Sequence, residues 1–134
     1  MNRSGNNSSK EKFSLLARLK SFKHAFSGLV CLFRFEHNAR IHLLIFITVI
    51  IAGFFFRISA NDWIAVLFVS GLVFISECIN TSIEYLSDVV TNEHNENIKI
   101  AKDVAAAAVF ISAIISVIIG LIVFIPAICM FIGS

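Results

Sequence analysis

Residues 77–88 read Glu77-Cys78-Ile79-Asn80-Thr81-Ser82-Ile83-Glu84-Tyr85-Leu86-Ser87-Asp88, three carboxylates and an amide in a segment otherwise hydrophobic enough to enter a membrane. The spacing i, i+3, i+7, i+11 puts Glu77, Asn80, Glu84 and Asp88 on one stripe of a helix, so they converge on one partner instead of scattering around the circumference. If the helix enters the bilayer at Trp63, an aromatic suited to the interface, a rise of about 1.5 Å per residue carries Glu77 roughly 21 Å in and Glu84 roughly 31 Å in, at the far edge of a ~30 Å core. Glu77 is then intramembrane, Glu84 lies at the boundary and Asp88 is in water. A charge at mid-membrane costs on the order of 2.5–3.5 kcal/mol, so an ionisable Glu77 is a functional hypothesis by default. The plainer alternative is a protonated Glu77 that merely hydrogen-bonds a neighbouring helix. Three polar groups in register with it argue for chemistry.

Composition supports the membrane reading. The chain has 134 residues, 57% of them hydrophobic, with mean hydropathy +0.86. That is too apolar for a soluble domain of this size and long enough for only a few spans. The net charge of +2 is unevenly spread, since eight of the eleven Lys and Arg precede Ile41. Cys31, Cys78 and Cys129 are far apart and lack metal-ligand spacing, so they read as apolar packing residues with no disulfide.

In chain order, residues 1–12 are polar and predict a disordered tail without a secretory signal. Residues 13–134 form a single integral-membrane domain. From Phe13 the apolar positions Leu15, Leu19, Phe22, Phe26, Leu29 and Phe33 recur at steps of four and three, with Arg18, Lys20, Lys23 and Arg34 mostly on other faces. This predicts a basic amphipathic helix over about 13–35, lying on a membrane surface rich in anionic lipid. A partner groove that binds basic helices reads the same pattern. Glu36 to His42 is then a polar joint. An apolar run over 41–56, flanked by Arg40 and Arg57, predicts a short first span. Ser59-Ala60-Asn61-Asp62 supplies capping oxygens for a second helix over about 63–90. The polar loop Thr91 to Asn97 leads to a third span over about 99–125, near whose end Pro126 stands. Along that span Ala108, Ser112, Ser116 and Gly120 repeat every four residues, a stripe of small side chains that lets helices approach closely.

The fold class is therefore all-α: one surface helix and three transmembrane helices. The excess of basic residues before the first span predicts a cytoplasmic N-terminus and a cytoplasmic loop between Asp88 and Asp103. Glu36, Glu84, Asp88, Lys102 and Asp103 then meet at that boundary, with Glu77 about 10 Å beneath.

Carboxylates on Glu36 and Glu84 suit a hard ion such as Mg²⁺, which takes one or two protein carboxylates and completes its shell with phosphate oxygens. Lys102 offers a compact positive charge for phosphate. Glu77, taken out of water, is placed to accept a proton from a hydroxyl presented within the bilayer. The chemistry this suggests is phosphoryl transfer to a lipid alcohol, although no glycine-rich nucleotide loop is present to name the donor. A non-enzymatic alternative, a proton- or ion-conducting subunit relaying through Glu77 and Glu84, leaves Glu36, Lys102 and Asp103 without work.

The pattern Glu77-x-x-Asn80-x-x-Ile83-Glu84-x-x-x-Asp88, followed by Ala101-Lys102-Asp103-x-Ala105-Ala106-x-Ala108-Val109, resembles the signature of the small bacterial membrane diacylglycerol kinase and undecaprenol kinase family. Glu36-x-Asn38-x-x-x-His42 and Lys20-Ser21-Phe22-x-His24-Ala25-x-x-Gly28 resemble it too, so the likeness covers nearly the whole chain after Leu16. The resemblance implies a homotrimer in the bacterial inner membrane, with active sites at subunit interfaces that use ATP and Mg²⁺ at the cytoplasmic face and engage no nucleic acid. It implies Glu77 as general base, Glu36 and Glu84 as metal ligands, Asn80, Lys102 and Asp103 on the phosphates, and Glu93, His94 and Asn95 at the nucleotide. Arg18, Lys20, His24 and Arg40 are candidate substrate contacts. The chain departs from the family at one point, where the family's N-terminal arginine falls on Ala17 and this sequence has Arg18. The run Ile115 to Pro126, the His24 segment and Asn80-Thr81 look closer to the undecaprenol kinase branch, with diacylglycerol the alternative acceptor.

Overall fold

The computed structural model describes residues 15–91 and 93–133, and the tail expected over 1–12 lies outside them. Four helices account for nearly all of the described chain: α1 (Leu15–Phe35), α2 (His37–Phe55), α3 (Ala60–Val90) and α4 (Glu96–Ile132). The last three are long and apolar enough to cross a membrane.

The helix ends depart from expectation in the same direction, each span being longer than its apolar run. The polar joint between α1 and α2 is a single residue. Glu36 alone leaves the helical region, at φ −91° and ψ 120°, while its N–H still bonds the Leu32 carbonyl at 2.9 Å and its carbonyl accepts from Arg40 at 3.4 Å. His37 to His42 therefore belong to α2, because at a membrane boundary the helix satisfies backbone groups that an open connector would leave bare. Helix α3 begins at Ala60, ahead of Trp63, because Ser59 and Asp62 form a capping box. The Ser59 side chain accepts from the Asp62 N–H at 3.3 Å and the Asp62 carboxylate accepts from the Ser59 N–H at 3.2 Å, which satisfies two otherwise orphaned donors.

Helix α4 begins at Glu96, where the Asn95 side chain accepts from the N–H groups of Asn97 and Ile98. It continues through Pro126 to Ile132, where the sequence suggested an end near Ile125. Proline removes one backbone donor but does not stop an apolar helix whose neighbouring bonds hold it. At about 1.5 Å per residue, α3 and α4 exceed a ~30 Å hydrocarbon core, so their charged ends, Asp88 and Glu96 to Asp103, extend beyond it.

α3 is the axis of the molecule. It pairs antiparallel with α4 along most of its length, linked by Lys102 Nζ to Asp88 Oδ1 at 3.3 Å and by the Ser76 and Ser112 hydroxyls at 2.8 Å. Ser116 and Gly120 of the small-residue stripe face Val66, Val69 and Val73 across a narrow pocket, whereas Ala108 is exposed. At the opposite end from Asp88, Phe54 packs on Trp63 and Phe55 and Phe56 pack on Phe131. Phe33 and Phe46 both meet the ring of Phe74, tying α1 and α2 to α3. Cys31, Cys78 and Cys129 are free.

Among the described residues the buried polar side chains are Glu77, Asn80, Thr81 and Ser87, all on α3. By contrast, α2 and α4 expose long rows of Ile, Phe and Leu, which a lipid environment covers.

Candidate active site

The site grows from α3. Glu77 is 2% exposed, the largest fully enclosed side chain among the described residues. Its Oε1 has no aligned hydrogen bond, and His42 Nε2 reaches from α2 to within 3.2 Å of it. One turn toward the polar end, Asn80 Nδ2 donates to Glu84 Oε1 at 2.9 Å, which turns the Glu84 carboxylate and leaves Asn80 Oδ1 enclosed and unpartnered. Thr81 Oγ1 is likewise enclosed without a partner. Glu36, half-buried at the corner between α1 and α2, lies with Glu84 close enough to act electrostatically on Glu77. Glu36, Glu77 and Glu84 thus share one locality, two of them from α3 and Glu36 from the corner between α1 and α2.

Beyond Glu84 the mouth of the α3/α4 hairpin opens into a polar basin of about 540 Å³. Asp88, Lys102 and Asp103 line it together with Glu93, His94 and Asn95. The nucleotide-side residues chosen from the sequence therefore surround one space. Lys102 already leans on Asp88, and His94 Nε2 stands 3.6 Å from Glu96 Oε1. The basin is continuous with the acidic stripe through α3, since Asp88 is one turn past Glu84 on the same helix.

The four candidate substrate contacts sit apart from this. Arg18, Lys20 and His24 on α1, and Arg40 on α2, are exposed. What faces the Glu77 region from α1 is an apolar groove of about 270 Å³, walled by Ala25, Gly28, Leu29 and Leu32 and floored by Cys78 and Thr81.

Among the described residues no group of three or more His, Cys, Asp or Glu side chains gathers as a closed metal site. The carboxylates available to share a metal with phosphate oxygens are Glu36 and Glu84, both close enough to act electrostatically on Glu77. That set fits Mg²⁺, which takes few protein ligands and shares its shell with substrate oxygens.

Sequence reasoning missed His42 as a neighbour of Glu77, treating it only as part of a polar joint. The available signal was its position as the lone titratable side chain in the apolar run 41–56, a placement that in a span marks function.

A helical membrane protein with an enclosed acid beneath an amide-carboxylate pair and a phosphate-sized polar basin has the parts of a membrane phosphotransferase. The profile of the prokaryotic diacylglycerol kinase family matches residues 23–124. The chain is 40% identical over 107 residues to the undecaprenol kinase of Bacillus subtilis, covering 80% of this chain and 87% of that protein. It is also 37% identical over 103 residues to the diacylglycerol kinase of a Synechocystis species, covering 76% of this chain and 59% of that protein. The chain belongs to the prokaryotic diacylglycerol kinase family and is a lipid kinase of the membrane.

Proposed function

We propose that the protein transfers the γ-phosphoryl group of ATP to the hydroxyl of a membrane lipid alcohol at the cytoplasmic face of the bacterial inner membrane, with undecaprenol the favoured acceptor. The observation that carries this reading is the order of groups along α3, an enclosed Glu77 within the span and, about 16 Å further along the helix, the polar basin lined by Asp88, Lys102 and Asp103. The hydroxyl oxygen attacks the γ-phosphorus, its proton passes to Glu77, and the bond from that phosphorus to the bridging oxygen breaks to release ADP. Lys102 neutralises phosphate charge, while Asp103 and Asn80 position its partners. Glu36 and Glu84 would hold Mg²⁺, which when bound neutralises charge building on the phosphates. Glu93, His94 and Asn95 contact the nucleotide from the rim of the basin.

Cytoplasmic orientation is supported by the eight basic residues ahead of Ile41. Exposed Arg18, Lys20, His24 and Arg40 would meet anionic headgroups or the incoming acceptor. A homotrimer with sites at subunit interfaces is the assembly that the family resemblance supports.

The deciding experiment is transfer of radiolabel from [γ-³²P]ATP by purified protein to a panel of lipid alcohols in mixed micelles. The expected result is a labelled lipid phosphate that requires Mg²⁺ and both substrates. Label released only as inorganic phosphate, whatever the lipid, would overturn the reading.

A further inference from the structure

We propose that His42 is the positioning residue for Glu77: its Nε2–H holds Oε1 of the carboxylate, so that the second oxygen faces the hydroxyl that gives up its proton. The inference rests on the reading of Glu77 as the base.

The geometry leaves few other candidates for the task. Glu77 Oε1 is enclosed and lacks an aligned hydrogen bond, and His42 Nε2 stands 3.2 Å away. Of the nearby donors, Asn80 Nδ2 is committed to Glu84 and the Ser76 hydroxyl to Ser112, and the Thr81 hydroxyl, one turn along α3, reaches no acceptor. Ser112 donates in turn to the Ala108 carbonyl at 2.7 Å, so the proton between the two serines is the one from Ser76.

His42 comes from a different helix, α2, and reaches Glu77 across the α2/α3 contact. Its side chain is 22% exposed and shares a narrow pocket with Ile45 and Phe46 of α2 and Val69 and Val73 of α3. The His42 ring is largely covered and is carried on α2, so its Nε2 approaches Glu77 from outside α3, while the carboxyl group turns about its own terminal torsion to meet it. A group fixed to the second helix can therefore set the direction of the carboxylate. The pattern is a base oriented by a third group that does not itself react. An N–H at one oxygen also offsets part of the cost of keeping a carboxylate away from water. A bond that is close but imperfectly aligned before substrate arrives is common at catalytic bases, which tighten in the complex.

During transfer the balance is simple. The acceptor O–H proton moves to the free oxygen of Glu77, the acceptor oxygen bonds the γ-phosphorus, ADP departs, and His42 keeps its Nε2 proton throughout.

The test compares kcat and KM for ATP and for the lipid alcohol in full-length wild type, His42→Leu, His42→Gln, Glu77→Gln and the double variant His42→Leu/Glu77→Gln. Groups that orient a metal ligand from outside contribute about 10–100-fold, and an N–H that orients a catalytic carboxylate is expected to act on the same scale. His42→Leu should fall by that factor in kcat, with both KM values within about twofold. His42→Gln, which keeps an N–H at a similar reach, should recover most of the loss. The double variant should be no slower than Glu77→Gln alone, because groups acting as a unit are not additive. A kcat for His42→Leu within twofold of wild type overturns the proposal, as does a double variant slowed by the product of the two single losses, the signature of a purely structural role. Should His42→Leu not fold, His42→Met takes its place and the ranking of Gln above Met carries the test. Failure of the base reading looks different, since Glu77→Gln itself would then turn over at the wild-type rate.

Discussion

The side-chain amide of Asn80 is bonded to Glu84, Nδ2 to Oε1 at 2.9 Å, one helical turn apart on α3. A carboxylate held this way presents its other oxygen in a fixed direction, which a metal ligand needs. Glu84→Gln and Glu36→Gln should each raise the Mg²⁺ concentration for half-maximal rate, because Mg²⁺ gives up water reluctantly and loses a charged ligand in either variant. Asn80→Ala should shift the same midpoint in the same direction by less, since it frees the ligand without removing it. Activity should partly return at high Mg²⁺ in all three. A titration that leaves every rate flat while ATP still binds normally would remove the metal role.

Glu77→Gln keeps the shape of the side chain and removes its capacity to take a proton. General-base contributions are on the order of 10²–10⁴ in rate, so transfer should drop by that much with the helical content unchanged by circular dichroism. A variant retaining more than about half of wild-type turnover takes Glu77 out of the mechanism.

The acidic stripe was legible in the sequence because a 3.6-residue period places Glu77, Asn80, Glu84 and Asp88 together whatever the rest of the chain does. The number of spans was legible for a similar reason, as apolar runs are local. Helix ends were not, since they depend on caps such as Ser59 with Asp62 and on helices continuing past the bilayer. Pro126 reads as a stop from local sterics, yet the surrounding turns of α4 outweigh one lost bond. His42 stands out in the sequence as the lone titratable side chain of its apolar run, but its partner does not, because the pairing with Glu77 arises from how α2 docks on α3. Glu36 shows both sides of this, visible as a carboxylate and invisible as the one-residue corner that brings it toward Glu77.

Gly53 and Trp63 fix the turn between α2 and α3. A methyl group at Gly53 would fall 2.7 Å from Cη2 of Trp63, so the ring, which already packs against Phe54 with centroids 4.9 Å apart, would have to shift. Gly53→Ala should destabilise by about 1–3 kcal/mol, the usual range for overpacking, seen as a lower midpoint in thermal unfolding in detergent. Trp63→Phe in the same chain should restore part of the loss. An unchanged midpoint for Gly53→Ala would show that the turn adjusts freely.

The Ser76 and Ser112 hydroxyls join α3 to α4 beside the site. Hydrogen bonds between membrane helices average about 0.6 kcal/mol and reach about 1.7 kcal/mol. A double-mutant cycle of Ser76→Ala and Ser112→Ala in a denaturant titration should return a coupling in that range. A coupling of zero would mean that the hairpin is held without this bond, by packing such as that of Ala105 and by the Lys102–Asp88 contact.

Choice of acceptor depends on the apolar surface around the site, because undecaprenol and diacylglycerol both offer a primary hydroxyl at the same boundary. On α4, Ile111, Ile114, Ile115, Ile118 and Ile122 are all between 43% and 63% exposed. They form an aliphatic wall without Trp, which suits a long, methyl-branched isoprenoid at least as well as two acyl chains. An apolar surface separates such ligands by only ~1–3 kcal/mol per small difference in shape, so activity on both is expected, with the isoprenoid ahead. The measurement is kcat/KM for each lipid in the same mixed micelles at equal surface concentration. A ratio above one for undecaprenol supports the assignment, and a ratio favouring diacylglycerol by tenfold or more reverses it. Ile115→Phe and Ile118→Phe add a second arm. Rings inserted into the wall should lower kcat/KM for the isoprenoid more than for diacylglycerol, and an equal loss on both lipids would place the acceptor chain elsewhere than along α4.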